Sequence, residues 1–326
     1  MPSPGPNRGA VNPDDRLILT PLMIPKSPNF VSEKSGYFQR FTNLPSPEEV
    51  RKQAEAQYLA GTSADSRRRF SEGEGPQRSP PPAVFEKLGL FVKWGTSVSI
   101  SEGQCLYAVS QLLKDYVPVP ELYGWRLDGG ETFLYMEYLE AQTLEQAWDT
   151  LESDERVSIS GELRTICANL RHLEQDPEDP FVGNIVRDHV YDRALHLSWM
   201  FEAGPFNTVQ KFHDWFTWLP RKPMPYPYCV PIEPYRYDLP DDTAIIFTHG
   251  DLHRSNILIT RSEPYRVVAI VDWEQSGWLP AYWEVRKAQW SVGGNDEWST
   301  LYLPMIMCQF TSTWIPWDWF TSAMGC

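Results

Sequence analysis

Within Thr248-His249-Gly250-Asp251-Leu252-His253-Arg254-Ser255-Asn256 an aspartate and an asparagine stand five positions apart. A second aspartate, Asp272, closes the apolar run Val267-Val268-Ala269-Ile270-Val271. These residue types suit phosphoryl transfer. Charge spreads over the oxygens of the moving phosphoryl group, so a protein must align the reactants and supply cations that neutralise that charge. Magnesium prefers carboxylate, amide and phosphate oxygens, which fits Asn256 and Asp272 as metal ligands. Asp251 is left to accept the proton of an acceptor hydroxyl or to orient it for in-line attack. His253, two residues on, is expected to act beside Asp251, with hydrogen bonding inside the loop as its main role.

Such a loop must be held between strands. The apolar Ile245-Ile246-Phe247 before it and the apolar run after it both read as buried strands, which leaves Asp251, Asn256 and Asp272 at strand ends. Either Asx residue alone would pass as an ordinary turn device that hydrogen-bonds nearby backbone. The constellation in a strand-loop-strand setting is more specific.

His249-Gly250-Asp251-Leu252-His253, with Asn256 three residues later, resembles the catalytic loop of the aminoglycoside phosphotransferase and choline kinase group. The flanking Gly277-Trp278 and Ala281-Tyr282-Trp283-Glu284 are similar to the fungal branch of that group. The resemblance implies an α+β fold of the protein-kinase-like, two-lobed kind, with a small β-rich N-lobe and a large helical C-lobe. It implies ATP and Mg2+ as donor and metal, and a hydroxyl of a small molecule as acceptor.

A kinase-like fold also needs a lysine for the nucleotide phosphates. Phe85-Glu86-Lys87-Leu88-Gly89-Leu90-Phe91-Val92-Lys93-Trp94-Gly95 is strand-like and brings Lys93 to its end. A helix starting near Ser99 or Ser101 follows, with Leu106, Val109 and Leu113 on an inward face. Its Glu102 is the expected ion-pair partner of Lys93, with Gln104 as the neighbouring alternative. Thr132-Phe133-Leu134-Tyr135-Met136-Glu137-Tyr138-Leu139 resembles the hinge between lobes. There the backbone of Glu137 and Leu139 would meet an adenine edge, and Met136 would line the back of the pocket. The glycine-rich phosphate cover of protein kinases has no clear counterpart. The glycines nearest upstream, Gly73 and Gly75, lie in an acidic linker-like run that would repel phosphates.

Charge separates the chain into unequal parts. Residues 1–80 hold 11 Lys or Arg against 9 Asp or Glu, and residues 81–326 hold 18 against 34. A body with a net charge of −16 repels nucleic acid and favours neutral or cationic small acceptors. No run is long enough to span a bilayer, and Met1-Pro2-Ser3-Pro4-Gly5-Pro6 lacks the apolar core of a signal segment. Five cysteines without metal spacing fit a reducing, cytoplasmic setting.

Three regions are expected. Residues 1–80 form a partly disordered extension with one helix, opened by the N-cap, Pro and capping-box pattern Ser46-Pro47-Glu48-Glu49. Residues 81–139 form the N-lobe and hinge, and residues 140–326 the helical C-lobe. In the C-lobe, His213, Asp214, Trp215 and Trp218 are candidates for acceptor contact, although aromatics at helical spacing also build cores. The aromatic C-terminal stretch, with Trp283, Trp290, Trp298, Trp314, Trp317 and Trp319, reads first as core packing and second as a cage for a cationic acceptor. The overall expectation is a small-molecule kinase. A kinase-like nucleotide-binding scaffold with little turnover is the alternative, and a protein kinase a weaker one.

Overall fold

The computed structural model describes residues 17–61, 80–195, 204–290 and 296–325. Alternating apolar residues build a five-stranded antiparallel sheet in the N-lobe. Its order is β2 (Phe30–Val31), β5 (Leu122–Asp128), β6 (Glu131–Glu137), β4 (Leu90–Gly95) and β3 (Ala83–Phe85). Leu90 and Val92 are fully buried, so the pleat turns Lys93 to the opposite face of β4, directly across from Leu134 of β6.

The N-terminal segment is less separate than its composition suggests. Within residues 17–61, β2 forms the edge of this sheet and helix α1 (Pro47–Gly61) packs on β3. The expected cap is in place: Glu49 accepts the Ser46 amide at 2.7 Å, and the Glu49 amide donates to Ser46 Oγ at 3.3 Å. β2 docks because position 124 has no side chain. A Cβ there would lie 2.3 Å from the Phe30 carbonyl oxygen. The run from Ser71 to Pro76 and the arginines at 67–69 lie outside the described residues.

Helix α2 (Ile100–Leu112) starts at Ser99, whose side chain accepts the Ser101 amide. It packs across β5 and against the turn that follows Asp272, and thereby links the two lobes.

In the C-lobe, α3 (Ser153–Leu170) buries Ile159, Leu163, Ile166 and Leu170 in the largest apolar cluster. Two small sheets rest on that core. One has the order β12 (Val267–Ile270), β11 (Ile257–Ile259), β7 (Gln142–Thr143), and the other β10 (Ile245–Thr248), β13 (Gly277–Pro280), β9 (Gly183–Asn184). The loop at 249–256 connects β10 to β11, one strand from each sheet. A short parallel pair, β1 (Leu17–Ile18) with β8 (Leu173–Glu174), ties the N-terminal segment to this lobe as well.

A second cluster gathers α4 (Val209–Trp218), the start of α5 (Trp283–Trp290) and α6 (Trp314–Ala323). Of the six C-terminal tryptophans, Trp283, Trp298 and Trp317 are core residues, as the packing reading expects, whereas Trp290, Trp314 and Trp319 are exposed. Among the described residues no helix is long and apolar enough to cross a membrane.

Candidate active site

The loop at 249–256 is held by its own backbone groups. Gly250 has φ +78, and a Cβ there would sit 2.5 Å from the Gln275 carbonyl oxygen. The buried Glu284 accepts the amides of His249 at 2.6 Å and Gly250 at 3.2 Å, one on each carboxylate oxygen. Burial raises the Glu284 pKa, and His249 with the two amides works against that rise.

His249 is fully buried and links the loop to the end of β12. Its Nδ1 accepts the Asp251 amide at 3.1 Å, so Nε2 carries the proton and donates to the Val271 carbonyl, also at 3.1 Å. Asn256 then closes the loop on Asp251. Its Nδ2 donates to the Asp251 carbonyl at 2.8 Å and to Oδ2 at 3.1 Å. The backbone carbonyl of Asn256 also accepts the Val271 amide at 3.0 Å, which fixes the loop beside Asp272. His253 caps the following turn: its Nδ1 accepts the Ser255 amide at 3.3 Å and lies 2.9 Å from Ser255 Oγ.

Asp272 occupies the left-handed region, φ 67 and ψ 61, a conformation that Asp tolerates better than most residues. The turn it opens brings Glu274 alongside. Lys93 Nζ reaches Glu102 at 2.8 Å, Asp272 at 2.5 Å and Glu274 at 3.4 Å. One ammonium therefore joins the N-lobe helix to the C-lobe turn. Burial alone would lower the Lys93 pKa, but Glu102, Asp272 and Glu274 together raise it well above the usual lysine range. Burial pushes Glu102 up to about 7, with Lys93 pulling it down and Asp272 adding to the rise.

Carboxylate oxygens of Glu102, Asp272 and Glu274 lie within 4.8 Å of one another. Glu102 is the residue that meets Lys93. Gln104 instead donates to the Pro25 carbonyl at 2.8 Å.

Glu274 and Arg193 join the cluster without any prior expectation from the sequence. Arg193 pairs with Glu274 through NH2, and its amide donates to Gln275 Oε1 at 2.8 Å. The signal for Glu274 was local, a carboxylate two residues past Asp272 in the same turn. Arg193 is 81 residues from its partner and left no local signal.

At the hinge, Met136 is buried and faces the core. The Glu137 amide is engaged with the Glu121 carbonyl at 2.9 Å, so an adenine contact from Glu137 would use its carbonyl. The Leu139 carbonyl accepts the Ala141 amide at 2.9 Å, which leaves its own amide as the donor toward a nucleotide.

Of the expected acceptor residues on α4, one is closed off: the His213 imidazole lies in the core, whereas Asp214 is exposed and Trp215 and Trp218 are half-buried. His213 is fully buried, with Nδ1 2.7 Å from Asp241 and Nε2 accepting from the Tyr282 hydroxyl at 2.9 Å. It offers an acceptor nothing. Asp214 pairs with Arg236, Trp215 packs on Phe206 and Phe212, and Trp218 stacks on Tyr228. Phe212 and Phe216 face the core side of this amphipathic helix, and the two tryptophans lie at its margin.

A family profile described as "Phosphotransferase enzyme family" matches residues 101–306, more than half of the chain. The chain belongs to the phosphotransferase enzyme family. The matched span runs from the first turn of α2 through the loop at 249–256, Asp272 and α5. Its fold is two-lobed, with a β-sheet N-lobe and a largely helical C-lobe. No curated protein matches the chain.

Among solved structures it is similar to an aminoglycoside-3'-phosphotransferase of type VIII, at 15% identity and a TM-score of 0.41, covering 72% of this chain and 84% of that one. It is similar also to the ADP-bound aminoglycoside phosphotransferase APH(2'')-Ib, at 10% identity and a TM-score of 0.45, covering 79% and 90%. A streptomycin-ATP complex of APH(2'')-IIa matches at 11% identity and a TM-score of 0.42, covering 69% and 75%.

Proposed function

We propose that this phosphotransferase moves the γ-phosphoryl group of ATP to a hydroxyl of a small molecule, in a magnesium-dependent reaction. The observation that carries the reading is the Lys93 ammonium held at once by Glu102 of the N-lobe and Asp272 of the C-lobe, beside a loop in which Asn256 clamps Asp251. That arrangement supports a reading in which Lys93 meets the donor phosphates and Asp251 serves as the base.

Asp251 accepts the acceptor's hydroxyl proton as the new P–O bond forms. The bond from the γ-phosphorus to the β,γ-bridging oxygen breaks, and ADP leaves with the electron pair. Asn256 occupies Oδ2 of Asp251, so Oδ1 is the oxygen that takes the proton. Lys93, guided by Glu102, binds the donor phosphates. Leu139 and the Glu137 carbonyl meet the adenine edge, and Met136 backs it.

The residues fit a divalent cation. Three carboxylates crowd together with Lys93 as the ammonium among them, and Asn256 keeps Oδ1 with only a 3.4 Å contact to Ser255 Oγ. Asp272 and Asn256 would hold the metal, with Glu274 at its edge. The metal supplies charge neutralisation on the phosphate oxygens. The acidic C-lobe favours a neutral or cationic acceptor over nucleic acid.

The test is ATP consumption by the full chain over a panel of aminoglycosides, choline-like amines and sugars. At least one acceptor should raise turnover, and Asp251→Asn should lower it by about 10³-fold or more while ADP affinity stays within twofold. Tight ATP binding with no turnover on any acceptor would favour a nucleotide-binding scaffold instead.

A further inference from the structure

We propose that Arg193 is a catalytic residue whose guanidinium leaves Glu274 for the transferring phosphoryl group and neutralises the charge developing there. The proposal rests on the phosphotransferase reading above and adds a residue that the loop at 249–256 does not contain.

The backbone under Arg193 is unusually well anchored. Asp192 on one side is fully buried and accepts from Lys287 Nζ at 2.7 Å, Trp283 Nε1 at 2.7 Å and the Ala194 amide at 2.9 Å. Lys287 is itself buried and donates at 3.0 Å to Gln275 Oε1, the same oxygen that accepts the Arg193 amide. Ala194 and Leu195 on the other side are buried too. A buried Asp-Lys pair costs desolvation free energy and is weak evidence of stability for its own sake. Here its geometric result is to pin residues 192–194 onto α5 and onto the turn that carries Asp272 and Glu274.

Arg193 alone of this stretch faces outward. Its side chain is 56% exposed, whereas its partner Glu274 is 5% exposed. The guanidinium thus stands at the edge of the carboxylate cluster, tethered through its NH2 group to Glu274 and hydrogen-bonded also to the Tyr191 side chain. Asp272 and Asp251 also act on its charge, which sets it within electrostatic reach of both the metal-binding turn and the base. A guanidinium so placed presents several rigid donors, matched to phosphate oxygens. An arginine supplied from the same chain at this step is worth about 10³-fold or more in turnover in enzymes that use one.

The test needs no knowledge of the acceptor. The affinity of the full chain for MgADP is measured by calorimetry with and without aluminium fluoride, which mimics the phosphoryl group in flight. The wild-type chain should bind MgADP and tighten at least tenfold with aluminium fluoride. Arg193→Ala should keep its MgADP affinity within twofold and lose that tightening. Arg193→Lys keeps a positive charge opposite Glu274 but not the fork, and should also tighten less than tenfold.

Tightening in either variant equal to wild type overturns the role of Arg193 and leaves the phosphotransferase reading standing. An Arg193→Ala chain that loses MgADP itself also overturns it, because the contact would then be to the ground state. A wild-type chain that binds MgADP without tightening overturns the proposal, since no preformed charge awaits the moving group. A wild-type chain that does not bind MgADP overturns both readings.

Discussion

Asp251, Asn256 and Asp272 were legible in the sequence because their contacts within the loop are short-range: Asn256 reaches Asp251 across five residues, and one hydrogen bond from the Val271 amide to the Asn256 carbonyl brings in Asp272. Glu284 stands in the sequence only within a flanking stretch of family resemblance, because a residue that bonds two amides 34 and 35 positions away has no spacing to announce it. Its replacement is the sharper test of how the loop is built. Glu284→Ala leaves two buried N–H groups without an acceptor, at a cost of about 1–3 kcal/mol for each unsatisfied group. The melting temperature should fall, and any turnover should drop by about 10²-fold as the proposed base Asp251 shifts away from the acceptor hydroxyl. Glu284→Gln should lie between, since one of its two terminal atoms still accepts. A Glu284→Ala chain that keeps wild-type turnover would remove the loop anchor from the mechanism.

Helix α4 shows what periodicity reveals and what it hides. The helix itself was legible from Val209, Phe212, Phe216 and their spacing, but the role of its polar residues was not. His213, Asp241, Tyr282, Arg236 and Asp214 form one network that joins α4 to residues 234–241 and to the entry of α5. The partners come from three separate stretches, so no local pattern could distinguish a clamp from a binding face.

The network has a pH signature. Burial lowers the His213 pKa below its usual value, and this outweighs the opposing pull of Asp241. Desolvation is the largest single influence on Asp241 and raises its pKa, but Arg236 and His213 together carry it below the usual aspartate range, so it stays ionised near neutrality. In the unfolded chain His213 protonates near pH 6.5, while the folded chain resists the proton. Below that pH the unfolded state binds more protons, and stability falls as pH drops from about 7 toward 5. His213→Gln should flatten this part of a melting temperature against pH curve while lowering its plateau. Curves that run parallel would assign the pH response to other groups.

The two lobes meet through a charge cluster, and that junction explains why the division into regions was only partly legible. Lys93 and Glu102 could be matched in the sequence because a strand and the next helix bring them nine residues apart. The turn at Glu274 and the edge strand β2 could not, since β2 is two residues long and docks through the bare backbone of Gly124. At the scale of the whole molecule, Lys93 is the proposed partner of the nucleotide phosphates and also holds Glu102, whose side chain is only 2% exposed, against the C-lobe turn. These two duties separate in a mutant cycle. Lys93→Ala strands a buried carboxyl group without the cation that pulls its pKa down and should cost about 3 kcal/mol. Glu102→Leu on top of it removes the stranded group and should recover most of that loss. Nucleotide affinity should not recover, because the phosphate cation is still missing. Denaturant titration and MgADP binding on the same four chains decide the matter. Recovery of both in the double variant would make Lys93 a structural residue, and recovery of neither would mean that the lobes depend on Glu102 itself.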